Sequence, residues 1–383
     1  MNKQYDLLIY IGRFQPPHLA HIKTINEAAK LSEKVLVLTG SANQPRTILN
    51  PWTWQERAEM INLSLPETIR PNVMVFPVLD KTYKDADWLI QVQEIVARVA
   101  PDAETIKIIG YNKDETSYYL KMFPQWGTPI DVGNIEDINA TQIRNAYFDV
   151  NITEEDFDMK IGRFLPTAIH DYLKAFQLTE DYEKLVREFE ADKRYHRGWD
   201  MDAMLDYYLE KELAKYNTAG EIVKEVIADL RTNYRVAPYK PKFVTVDAVV
   251  IQAGHILLVR RRAEPGKGLY ALPGGFLGED EEIVDAMIRE LIEETRIKVQ
   301  DKILYRNIKA SKVYGKPNRS LRGRTITHAF LIELEPGPLP KVKGSDDADK
   351  AKWVPLSVFE KMEDQMFEDH YHIVKDMIGK LDG

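Results

Sequence analysis

Apolar runs alternate with helical spacings along the first third of the chain. Leu7–Ile11, Val35–Thr39, Val73–Val78 and Ile106–Ile109 are nearly continuous in apolar residues, the mark of strands buried on both faces of a parallel sheet. Between them His18–Lys30, Thr53–Leu65, Trp88–Val99 and Thr116–Phe123 repeat apolar positions at helical intervals and predict the intervening helices. This alternation predicts a doubly wound, Rossmann-like α/β domain, whose ligands sit at the carboxyl ends of the strands. A helix over Leu165–Phe176 completes the domain, which spans 1–180.

From 153 to 235 the pattern turns charged and mostly helical, and 181–240 reads as a helical connector without chemistry of its own. The proline-punctuated stretch VAPYKPKF (236–243) closes it. Beyond lies a second domain, 241–383. Phe243–Gln252 and His255–Arg260 predict a hairpin, Ile283–Glu294 a helix, and the last helix starts near Asp364. An α/β/α sandwich around a mixed sheet is expected there.

A length of 383 residues suits two or three domains. The formal charge of −8 argues against a general nucleic-acid binder, which needs a basic face. With no cysteine the chain has no disulfide, thiolate metal site or cysteine nucleophile, and a reducing cytoplasm fits. The opening MNKQYDLLIY lacks a signal peptide, and no apolar run approaches membrane-spanning length. A cytoplasmic protein without a membrane partner is expected; a homo-oligomer is open.

Two segments carry chemistry. Gly275 is followed by Glu281, then by Arg289, Glu290, Glu293 and Glu294. On a helix Glu290, Glu293 and Glu294 share one face, where three carboxylates repel unless a hard cation such as Mg²⁺ or Mn²⁺ takes their oxygens. Such an ion suits hydrolysis of a P–O–P bond. Directly after the first strand comes GRFQPPHLAH (12–21). Gly12 lets backbone approach a phosphate, and the helix from His18 offers its positive end, with His18 and His21 on its first turn. INATQIR (138–144) adds Thr141 as a cap and Arg144 as a fixed cation. These parts suit nucleotidyl transfer, where catalysis is positioning and charge neutralisation. Two surface histidines, or half a metal site, are the blander alternatives.

The acidic stretch resembles the Nudix hydrolase box, with Arg296 in place of its last glycine, and GRFQPPHLAH resembles the motif of NMN adenylyltransferases, with Ala20 in place of a glycine. INATQIR resembles the same family's Ile-Ser-x-Thr-x-Ile-Arg motif, Asn139 replacing a serine. SANQPRTILNPWTWQER (41–57), LDKTYKDADW (79–88), GYNKDETSYYLKMFPQW (110–126), SLRGRTITHAF (320–330) and GSDDADKAKWVPL (344–356) extend the likeness to bifunctional NMN adenylyltransferase/Nudix proteins over nearly the whole chain. The resemblance implies synthesis of NAD and pyrophosphate from ATP and NMN, or deamido-NMN. It also implies hydrolysis of ADP-ribose to AMP and ribose 5-phosphate. It places Gly12, Arg13, Phe14, Gln15, His18, His21, Arg46, Gly110, Thr141 and Arg144 at the nucleotide, and Trp88, Asp80 and Arg57 at NMN. Gly275, Arg319, Arg322 and Arg324 fall to the Nudix substrate, with Glu290, Glu293 and Glu294 to the metal. A core role for Trp88 and a surface ion pair for Arg57 stay open, as does the hydrolytic base among Glu293, Asp346, Asp347, Glu368 and Asp369. Two other readings remain: another adenylyltransferase fused to a house-cleaning hydrolase, or a rear half that senses ADP-ribose without cleaving it.

Overall fold

The computed structural model describes residues 3–111, 120–133, 139–197, 242–343 and 348–379. The chain divides into two compact units, Met1–Arg187 and Glu188–Gly383. No helix among the described residues is long and apolar enough to cross a membrane.

In the front unit β1 (Tyr5–Gly12), β2 (Ser32–Thr39), β3 (Val73–Pro77), β4 (Ile106–Gly110) and β5 (Ile130–Asp131) form one sheet in the order β3-β2-β1-β4-β5. Every neighbouring pair is parallel. Leu7, Leu8 and Ile9 have no exposure, because β1 is central and its pleat sends alternate residues into two cores. Leu7 and Ile9 join Val92 and Val96 of α3 (Asp85–Val99), while Leu8 joins Ile22 and Ile25 of α1 (Leu19–Leu31). The order reverses between β1 and β4, so a crevice opens beyond their carboxyl ends, where Gly12 and Gly110 lie. The helix expected over Thr116–Phe123 falls largely outside the described residues.

Further helices are α2 (Trp54–Ser64), α4 (Ala140–Phe148), α5 (Glu154–Lys160), α6 (Thr167–Phe176) and α7 (Glu180–Arg197). Helix α6 packs on α2. The start of α7 is tied to the same unit: Tyr182 stacks on Phe148, and Asp181 pairs with Arg46 at 3.0 Å. Most of the connector expected over 181–240 lies outside the described residues.

The rear unit is a mixed sheet of β6 (Phe243–Gln252), β7 (His255–Arg261), β10 (Ile308–Tyr314), β11 (Thr325–Glu333) and β12 (Ala348–Pro355) in the order β10-β11-β6-β7-β12. Short strands β8 (Tyr270–Ala271) and β9 (Gly274–Phe276) pair with β7 and β6. The expected hairpin is present, β6 meeting β7 through Ile251 and Ile256. Its main core joins Val246, Ala248 and Val250 to Ala286, Met287 and Leu291 of α8 (Ile283–Thr295). Helices α9 (Asp301–Arg306), α10 (Leu356–Phe359) and α11 (His370–Ile378) follow. The last helix thus begins at His370 and not near Asp364. Met366 and Phe367 are buried in an extended piece that bonds to Tyr270, so the backbone there serves β8 instead of a helix.

Candidate functional sites

In the front unit the segment after β1 turns tightly. Phe14 takes φ 54° and tucks its ring under Gly12, where a Cβ would stand 2.9 Å from that ring. Phe14 packs edge-on to Tyr10 and His21, so its part in the turn is apolar support. His18 precedes α1 and is 6% exposed. Its backbone N–H donates to His21 Nδ1 at 3.2 Å, and the two rings lie 3.7 Å apart. An accepting Nδ1 places the ring proton of neutral His21 on Nε2. Burial first, then the neighbouring His18, hold the His21 pKa well below the histidine range, so the ring stays uncharged.

Arg144 is buried on the second turn of α4 and donates to Gln15 O and to Thr141 Oγ1. Thr141 is therefore an acceptor for Arg144 and not the cap. The cap is Asn139, whose Oδ1 accepts from Gln142 N while Gln142 Oε1 accepts from Asn139 N, both at 3.0 Å. Gln15 is also committed to structure: its amide exchanges two hydrogen bonds with the Trp52 backbone. Burial lowers the Arg144 and Arg57 pKa values to about 10, and exposed Arg13 adds like-charge repulsion to both. Arg13 beside buried Arg144 makes a site where an anion would relieve the repulsion.

Two expected phosphate ligands have other jobs. Arg57, with no exposure, donates to the carbonyls of Arg13, Gly40, Ser41 and Thr53, clamping the loops after β1 and β2. Arg46 forms a two-pronged pair with Glu56 at 3.0 and 3.1 Å and a third contact with Asp181. Both arginines are committed to partners within the fold. Half-buried Asp80 follows β3 and acts electrostatically on Arg57. Trp88 begins α3, half-buried, 5.9 Å from the Phe123 ring that stacks on Trp126. Gly110 ends β4 against Leu120.

In the rear unit the box acids meet two glycines. A Cβ on Gly275 would collide with the Glu290 carboxylate, and one on Gly274 with Val246 O. Gly274 N–H donates to Glu294 Oε2 at 3.0 Å. Burial first, with Glu290 and Asp247 adding repulsion, pushes the Glu294 pKa up to about 8. Burial raises Glu290 as well. Such carboxylates take either a proton or a cation. Arg289 holds the frame: it grips Glu281 at 2.7 and 2.9 Å and reaches Glu290 at 2.8 Å and Glu293 at 3.1 Å. With Glu290 turned to Arg289, no cluster of three or more acids or histidines among the described residues is assembled as a metal cage. The donors are nonetheless hard oxygens on adjacent turns, the chemistry Mg²⁺ or Mn²⁺ takes.

Arg319, expected at the substrate, is a buried partner of Asp369, with bonds of 2.6 and 2.9 Å. That pair engages both carboxylate oxygens of Asp369. Glu368 accepts from Ser320 Oγ and Leu321 N, pinning the loop before β11. Arg322 lies over the Phe276 ring at 5.2 Å, and Arg324 reaches Thr325 O at 3.4 Å. Asp346 and Asp347 lie outside the described residues. Three residues escape the motifs. Asp247, buried in β6, accepts from Thr327 Oγ1; His370 Nδ1 accepts from Leu272 N; and the Arg261 charge acts on Glu294. Asp247 did leave a signal, the lone charge in a largely apolar strand.

Residues 9–146 match the cytidylyltransferase-like family and 241–377 the NUDIX domain family. The nicotinamide/nicotinic acid mononucleotide adenylyltransferase of Acinetobacter baylyi is 35% identical over 49% of this chain and 95% of its own. The ADP-ribose pyrophosphatase of Methanocaldococcus jannaschii is 32% identical over 44% of this chain and 91% of its own. A crystal structure of a bifunctional NMN adenylyltransferase/ADP ribose pyrophosphatase from Francisella tularensis, complexed with AMP and a Mn ion, aligns with a TM-score of 0.82. It is 34% identical, over 98% of this chain and 99% of that one.

Proposed function

The chain belongs to the family of bifunctional NMN adenylyltransferase/ADP-ribose pyrophosphatases, and from that premise we propose how its two sites carry the two reactions. In the front unit the 5′-phosphate of NMN attacks the α-phosphorus of ATP, giving NAD and pyrophosphate. Arg144 and Arg13 neutralise the phosphates, and neutral His21 donates from Nε2 beside His18. No side chain forms a covalent bond; the work is alignment and charge. Arg57, Arg46 and Gln15 hold the loops that present these groups. Trp88, half-buried at the start of α3, is the surface on which the nicotinamide stacks.

In the rear unit Glu290, Glu293 and Glu294 would hold Mg²⁺ or Mn²⁺. Such an ion would polarise the diphosphate of ADP-ribose and acidify a water. Arg289 and Glu281 fix the helix on its loop, Gly275 leaves room for the Glu290 carboxylate, and Gly274 N–H donates to Glu294. Glu293, with 59% side-chain exposure, is the box acid best placed to take a proton from water. AMP and ribose 5-phosphate leave. Retention of all three acids speaks against a non-catalytic sensor.

The observation that carries the rear reading is Glu294, buried beside Glu290 with its pKa pushed up to about 8. Reciprocal variants test both halves. His18→Ala should abolish NAD synthesis and spare ADP-ribose hydrolysis, and Glu294→Gln should do the reverse. Loss of both activities in either variant would refute separate sites, and an active Glu294→Gln hydrolase would remove the metal role.

A further inference from the structure

Among the described strands β9 pairs with β6 alone. Just before it, Pro273 O accepts from Ala248 N at 2.8 Å, so Pro273 faces β6. Residues of an extended chain alternate between edges, and the N–H groups of Leu272 and Gly274 therefore point the other way. Side chains take both of them. Leu272 N–H donates to His370 Nδ1 and Gly274 N–H to Glu294 Oε2, each at 3.0 Å. One short backbone edge thus joins a buried histidine to a box acid.

His370 is itself held fast. It opens α11, its N–H donates to Phe367 O at 3.1 Å, and the preceding Asp369 is locked to Arg319. It is 5% exposed, and burial holds its pKa down to about 3, so the ring stays uncharged and Nδ1 remains an acceptor. The ring proton then sits on Nε2, which faces Asp247 Oδ1 at 3.9 Å, an electrostatic approach longer than a hydrogen bond. Asp247 is fixed in turn, because its other oxygen accepts from Thr327 Oγ1. It also crowds the segment from β6: a Cβ on Gly274 would stand 2.8 Å from Asp247 Oδ1. Glycine is needed for that approach, yet it brings the loosest backbone to the residue that must aim its N–H.

We propose that His370 is a positioning residue of the hydrolase: by taking the Leu272 N–H it sets the outer edge of Leu272–Gly274, and through that edge it orients the Glu294 carboxylate that would hold the metal. A neutral acceptor suits this place, since a third carboxylate beside Asp247 and Glu294 would add to their repulsion. This deepens the rear-site reading given above and rests on it.

The test uses the full-length protein, which carries its own control in NAD synthesis. His370→Leu removes the acceptor and keeps apolar volume. Mg²⁺ titrated into that variant by calorimetry should bind about tenfold more weakly. Its kcat for ADP-ribose should fall about thirtyfold, with KM within about twofold and NAD synthesis unchanged. His370→Asn puts Oδ1 where Nδ1 stood, and should keep both Mg²⁺ affinity and kcat within about threefold of the parent. A role in packing alone would leave Asn no better than Leu. That result overturns the proposal, as does parent-like Mg²⁺ affinity in His370→Leu. Should His370→Leu fail to fold, His370→Gln decides, because its oxygen lies one bond further out. Weakened Mg²⁺ binding in it supports the proposal and parent-like binding overturns it. Glu294→Gln separates this role from the reading beneath it. If that variant still hydrolyses ADP-ribose, the rear-site reading itself is wrong; if it is dead while His370→Leu matches the parent, only the positioning role is wrong.

Discussion

Arg57 has no exposure, and four backbone carbonyls depend on it. Replacing it by Met keeps much of the volume but strands buried acceptors, at a cost of about 3 kcal/mol. Thermal denaturation of Arg57→Met should show that loss in the front unit, and steady-state kinetics should show KM for ATP and NMN rising together. A rise confined to NMN would return Arg57 to the substrate. The same contrast shows what the sequence could and could not reveal. Charge is printed in a sequence, burial is not, so Arg46, Arg57 and Arg319 look like free cations until Glu56, the loop carbonyls and Asp369 are seen around them. The Glu281–Arg289 pair is local, its members eight residues apart across one loop and helix. The Arg319–Asp369 pair spans fifty residues, and no local pattern encodes it.

Helix ends follow the same division. The capping box Asn139–Gln142 is local, and Thr141, two positions on, competes with Asn139 as a cap in the sequence. The exit of α8 departs from its family, since Arg296 takes the left-handed conformation (φ 46°, ψ 35°) where glycine is usual. Its N–H donates to Ile292 O at 2.8 Å, so the cap forms despite the side chain. A left-handed non-glycine residue costs about 1 kcal/mol. Arg296→Gly should therefore raise the melting temperature of the rear unit by about 3 °C without loss of hydrolysis, as calorimetry with a parallel ADP-ribose assay would show. An unchanged or lower melting temperature would mean that the arginine itself stabilises the helix end. At the level of strands the apolar runs sufficed, because β1, β2 and β4 are buried on both faces. The Met366–Phe367 piece failed as a predicted helix because its burial pattern is shared by an extended segment docked on β8.

Over the whole molecule, buried titratable groups tie the stability of both units to pH, and in the rear unit protons compete with metal. Burial lowers His370 to about 3. The unfolded chain takes up that proton near pH 6.5, so between about 3 and 6.5 it binds more protons than the folded one, and stability falls as pH drops through that window. His21 has the same sign in the front unit. Glu294 has the opposite sign: the unfolded chain releases its proton near 4.5, the folded chain holds it to about 8, and stability falls as pH rises between them. A divalent ion must displace that proton, so its affinity gains up to about 1.4 kcal/mol per pH unit until Glu294 ionises unaided. The rise in rear-unit melting temperature on adding Mg²⁺ should accordingly be larger at pH 8.5 than at pH 6.5, and chelation should erase it at both. In Glu294→Gln the pH dependence of that increment should vanish. Scanning calorimetry of the two proteins with and without Mg²⁺ measures all of this, and equal increments at both pH values in the parent protein would strike Glu294 from the metal's ligands.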